Sequence, residues 1–137
     1  MKSWLTILVF MLICATASLG EDKAEKAATE SANHWLSLID VGDYSASWNE
    51  AAPVFKGAVS KNQWAQMLQS TRAPLGTVIS RTVKSAVYKN SLPGAPDGQY
   101  VVIQYESSFE HKKSAIETVT PSLGDDGQWR VSGYYIR

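Results

Sequence analysis

Residues Gln99–Phe109 read QYVVIQYESSF, and they place Val101, Ile103, Tyr105 and Phe109 on one side of an extended chain. Tyr100, Val102, Gln104 and Glu106 fall on the other side. Side chains alternate across a strand, and β-branched and aromatic residues favour that pleated surface, so the stretch predicts a central strand. Upstream, Thr77–Tyr88 also alternates, with Ile79, Arg81, Val83 and Val87 on one side. The intervening SLPGAPDG (residues 91–98) is a loop by its turn residues. Downstream, a charged turn at Glu110–Lys112 leads to a strand over Lys113–Leu123, with Ala115, Glu117 and Val119 sharing a face. Gly124–Gly127 makes the last turn, and Gln128–Ile136 closes the sheet with Trp129, Val131, Gly133 and Tyr135 on one side.

Everything before Thr77 reads as helix. Ala28, Ala32, Trp35, Leu36 and Ile39 recur at helical spacing in a helix that begins near Glu21. Gly42 stops it, and Asp43 caps a second helix whose inner face carries Tyr44, Trp48, Ala51, Ala52 and Phe55. Pro53 should end or bend that helix near Ala52. Ser60-Lys-Asn-Gln63 is a capping box opening a third helix, with Trp64, Met67, Leu68 and Thr71 on one face. Arg72–Gly76 ends it. Helices first and an antiparallel meander after them give the α+β class: three N-terminal helices packed on a curved four-stranded antiparallel sheet.

The 137 residues carry 13 basic and 13 acidic side chains. Residues 1–20 have the form of a secretory leader, with Lys2 ahead of an apolar run from Leu5 to Ile13. Ala15-Thr16-Ala17 and Ser18-Leu19-Gly20 offer cleavage sites. An uncleaved anchor is the competing reading, but the run is short for a spanning helix. Ile13 before Cys14 argues against a lipoprotein. Cleavage would leave one domain over residues 21–137 without a cysteine, located in the periplasm or outside a bacterial cell. A near-zero charge with no Lys/Arg block predicts neither nucleic-acid binding nor membrane association after cleavage. The expected partner is an unknown small molecule or protein, with a homodimer through the sheet as a further option.

Few residues carry a chemical signature. His34 and His111 share no ligand spacing, no glycine-rich phosphate loop precedes a helix, and no serine sits in a nucleophile elbow. No cofactor and no metal is expected. Arg81 and Glu117 stand out because each sits at an apolar alternation position, where an ion is costly to desolvate unless paired. Structurally, they predict a buried ion pair. Functionally, they could form the polar floor of an apolar pocket, with Tyr44, Trp48 and Tyr105 as further lining candidates. Core packing is the plainer reading for these aromatics, and Asp40 and Asp43 read as helix-end residues.

Several strings bear a family likeness: WLSLID (35–40), GDY (42–44) with Trp48, RAPLG (72–76), Ser80-Arg81, LPGAPDG (92–98), ETVTP (117–121) and WRVSGYY (129–135). With them the chain resembles the nuclear-transport-factor-2-like, or cystatin-like, superfamily of cone-shaped α+β domains. Within that group it is most similar to a bacterial secreted family, domain-of-unknown-function family 4019. The resemblance implies a fold and a secreted location and brings no activity with it. The expected function is a non-catalytic binding or interaction module with a small-molecule pocket. The alternative is a cofactor-free isomerase or dehydratase using a pocket carboxylate.

Overall fold

A computed structural model describes residues 5–137, with side chains from Leu19 onward. Most of the leader expected over residues 1–20 thus lies outside the residues whose side chains are described. Among the described residues, no helix is long and apolar enough to cross a membrane.

Helix α1 spans Leu5–Asp40 and buries Ala28, Ala32, Trp35, Leu36 and Ile39. It ends at Gly42, whose positive φ of 81° lets its amide reach Ile39 O while Asp43 N reaches Leu38 O. These two bonds satisfy carbonyls that the helix end would otherwise leave open. The Asp43 carboxylate accepts from Ala46 N and starts α2, Tyr44–Asn49.

The second expected helix is in fact two. Pro53 does not bend a continuing helix but occupies the first turn of α3, Pro53–Ala58. A missing N–H costs nothing there, so the residue that breaks one helix opens the next. At the break, Ala52 N donates to Val131 O at 2.8 Å, tying the connection to the sheet. The capping box is present: Ser60 Oγ accepts from Gln63 N, Ser60 N donates to Gln63 Oε1, and α4 runs Lys61–Thr71. A 3₁₀ turn, Ala73–Leu75, follows. Among the described residues the helical layer therefore holds four α-helices rather than three.

Strands β1 (Val78–Lys89), β2 (Tyr100–Phe109), β3 (Lys112–Leu123) and β4 (Trp129–Ile136) form an open antiparallel meander in the order β1-β2-β3-β4. The alternation of β2 holds, with Val101, Ile103, Tyr105, Ser107 and Phe109 all buried. Two expected faces differ, and bulges are the reason. Val83 pairs with Tyr105 but Ser85 pairs with Gln104, so Lys84 is an extra residue and parity flips beyond it. Ala86 and Tyr88 then face the core, whereas Val87 is 44% exposed. In β4, Pro121 pairs with Val131 but Thr120 with Gly133, leaving Ser132 as the extra residue. Tyr134 therefore turns inward and Tyr135 outward, the reverse of plain alternation.

Trp35, Phe55, Trp64 and Tyr134 meet where the helices cover β4. Phe55 and Trp64 stand edge to face at 4.8 Å between centroids, and Trp35 lies 5.5 Å from Tyr134. Ser47 serves both buried indoles: Trp35 Nε1 donates to its carbonyl at 2.8 Å and Trp64 Nε1 to its Oγ at 2.9 Å. Buried indole N–H groups need such partners, and one small polar residue on α2 supplies them.

Candidate functional site

The sheet floor under α1 and α4 carries a cluster of ions assembled from four elements. Arg81 on β1 donates through Nε to Glu117 Oε1 on β3 at 2.8 Å. Through Nη1 and Nη2 it grips Asp40, the last residue of α1, at 2.8 and 3.0 Å. The two-pronged contact matches the planar guanidinium to the planar carboxylate. Arg72, just past α4, donates from Nη2 to Asp40 Oδ1 at 3.3 Å and from Nη1 to Gly76 O at 2.7 Å. Its guanidinium lies 4.5 Å from the centre of the Phe109 ring. Its Nε is buried without a hydrogen-bond partner among the described residues.

Glu117 is fully buried and accepts three donors. Arg81 Nε and Ser107 Oγ share Oε1, the latter at 2.6 Å, and the Tyr134 hydroxyl donates to Oε2. Two guanidinium groups thus balance two carboxylates, which is how charges are tolerated away from water. Burial opposes the Arg81 charge, but hydrogen bonds to Asp40 and Glu117 outweigh it and hold its pKa above the ordinary value. Burial, reinforced by the Glu117 charge, pushes the Tyr134 phenol well above its usual range. Burial likewise pushes Tyr105 up to about 12, against the opposing pull of Arg81. The Tyr105 hydroxyl donates to Asn33 Oδ1 at 2.7 Å.

Of the five residues singled out as lining candidates, Arg81, Tyr105 and Glu117 come together on the sheet. Tyr44 and Trp48 stand apart on α2. Trp48 donates from Nε1 to Val59 O and lies beneath Lys61 and Lys56, 5.3 and 5.7 Å from its ring centre. His34 and His111 are exposed, each beside a glutamate: Glu50 at 3.2 Å and Glu110 at 3.0 Å. Asp40, Arg72, Ser107 and Tyr134 complete the cluster and were not read as site residues. Two of them carried a signal. Asp40 follows Leu36 by four residues on the buried stripe of α1, and Ser107 lies between Tyr105 and Phe109 on the buried face of β2. Tyr134 carried none, because the bulge at Ser132 reverses its side.

Two grooves open on the surface, and neither includes Arg81 or Glu117 in its walls. The first, about 440 Å³, runs between α4 and the end of β4, with Trp64, Met67, Leu68, Leu75 and Tyr134 as its apolar wall. Lys112 and Arg137 lie along it. The second, about 670 Å³, is polar and lies between α1 and the β3–β4 turn, lined by Glu30, His34, Asn49, Glu50, Gln128 and Arg130 among others. Tyr134 joins the first groove to the cluster: its ring forms wall while its hydroxyl is held by Glu117.

No curated protein matches the chain. A family model does match, over residues 31–134, a span that takes in every residue of the ion cluster. The chain belongs to the family described as protein of unknown function DUF4019.

Proposed function

We propose that this protein is a non-catalytic binding module that holds the apolar part of a small molecule in the groove between α4 and β4. The observation that carries the reading is the fixed wall of that groove. Tyr134 is gripped from behind by Glu117 and packed edgewise on Trp35 and Trp64, 5.5 and 6.3 Å away. A wall held at ring and hydroxyl keeps its shape before a ligand arrives, so little ordering is left to oppose binding. The volume and apolar lining suit a small ligand.

The same geometry weighs against the isomerase or dehydratase alternative. A catalytic carboxylate must reach the proton it moves. Glu117 is instead fully buried, outside the groove wall, with its oxygens engaged by Arg81, Ser107 and Tyr134. In this reading the cluster fastens α1 and α4 to the sheet, and the groove does the binding. The leader-like residues 1–20 support a periplasmic or secreted setting for that activity.

Titration with uncharged N-phenylnaphthylamine tests the proposal. Wild type should give a saturable rise in fluorescence. Met67 is half exposed on the groove wall, so a charge there should leave the fold intact, and Met67→Glu should abolish the rise. Glu50→Gln, in the polar groove, should leave it unchanged. A signal equal in wild type and Met67→Glu would sink the reading.

A further inference from the structure

We infer that the groove takes an anionic amphiphile, specifically a medium-chain fatty carboxylate whose head group meets Lys112 and Arg137. The inference rests on the binding reading above and adds the chemistry of the ligand. Of the uncharged polar groups along the groove, Thr71 Oγ1 is spent on Met67 O at 2.8 Å and Tyr134 is spent on Glu117, while the exposed Tyr135 brings a hydroxyl but no charge. Lys112 and Arg137 also line the groove, and neither makes a salt bridge among the described residues. The neighbouring Glu110 faces His111 instead, at 3.0 Å.

A trough walled by Trp64, Met67, Leu68 and Leu75 and bordered by two cations has the complementarity of a molecule with an apolar tail and a negative head. Its volume of about 440 Å³ lies toward the small end of ligand sites, which favours a medium chain over a long one. Lys112 is half-buried at the start of β3, so its ammonium can meet a carboxylate at the groove while its stem lies along apolar surface.

Titration calorimetry with decanoate, decanol and decyltrimethylammonium, each below its micellar concentration, separates the two layers of the argument. Wild type should bind decanoate, bind decanol about tenfold more weakly for want of the charge-assisted contact, and reject the cation. Lys112→Gln should lower decanoate affinity toward the decanol level, the remainder being held by Arg137, and leave decanol unchanged, and Lys112→Arg should restore it. Equal binding of decanoate and decanol, or a Lys112→Gln variant unchanged toward decanoate, overturns the anionic ligand while the groove reading stands. Binding of neither, or binding of both unaltered by Met67→Glu, overturns the groove reading and this inference with it.

Discussion

Glu117 shows how far a single side chain can be read from alternation. Its place between Ala115 and Val119 marked it as buried, and a buried carboxylate needs a cation; Arg81 was the candidate in an equivalent position on another strand. The pair forms at 2.8 Å. What alternation could not supply was the number of partners. Glu117→Ala removes the acceptor of Arg81, Ser107 and Tyr134 at once and leaves two hydroxyls and one guanidinium N–H short of a partner. Breaking a buried pair from one side costs roughly 3–5 kcal/mol, much of a small domain's stability, so chemical denaturation should show a greatly lowered midpoint. Glu117→Gln keeps an acceptor oxygen and should lose distinctly less; equal losses would show that charge alone matters. The tyrosines add a pH dependence. Tyr105 and Tyr134 have folded pKa values above the ordinary value of about 10, so the fold favours their neutral form. That stability is complete below about pH 10 and is lost as pH rises beyond it, through about 12 for Tyr105. Thermal melts should fall in midpoint over this interval, and Tyr134→Phe should reduce the fall.

Among the elements, those with strong local signals were legible and those shaped by one extra residue were not. The β2 run, the α1 stripe, the Gly42 stop and the Ser60–Gln63 box each follow from residues close together in sequence. Pro53 was ambiguous because proline ends one helix and suits the first turn of another with equal ease. The β1 and β4 faces failed for a different reason: a bulge is set by pairing with a neighbouring strand, and nothing within the strand's own sequence announces it. Ser132 makes the consequence testable. With Ser132 deleted, Thr120 and Pro121 would meet consecutive β4 residues, and plain alternation would return. Tyr134 would then stand two positions after Val131 and still opposite Val119, so it would keep its inner place against Trp35 and Trp64 and its hydroxyl at Glu117 Oε2. The deletion, like Ser132→Ala, should therefore retain the near-ultraviolet circular dichroism of the aromatic cluster. Loss of that dichroism in the deletion would show that the bulge itself, and not the pairing with β3, holds Tyr134 against Trp35 and Trp64.

For the molecule as a whole, the ion cluster connects the far ends of the chain's architecture: α1 through Asp40, α4 through Arg72, and three strands through Arg81, Ser107 and Glu117. Its members lie between positions 40 and 134, inside the span of the family match. The beginning of the chain stands in contrast. From Leu19 to Ala27 no side chain is buried, Leu19 itself is 67% exposed, and the first fully buried residue among those described is Ala28. A long hydrogen bond, from Tyr88 N to Glu25 Oε1 at 3.4 Å, ties this part of the helix to the sheet beyond either expected cleavage site, and Gly20 and Glu21 lie beside Tyr88 and Gln99. A helix gains most of its stability in a protein from the face it buries, so the turns from Leu19 to Ala27 contribute little to the domain. Removal of residues 1–20 should therefore leave the fold unchanged. A chain starting at Glu21 should unfold at the same denaturant midpoint as the full chain, with the same slope. Protein exported by a bacterial host should show, by mass spectrometry, a new terminus after Ala17 or Gly20. A clear loss of stability on truncation would mean that the first twenty residues pack on the domain, and retention of Met1 after export would remove the leader as the basis for a periplasmic setting.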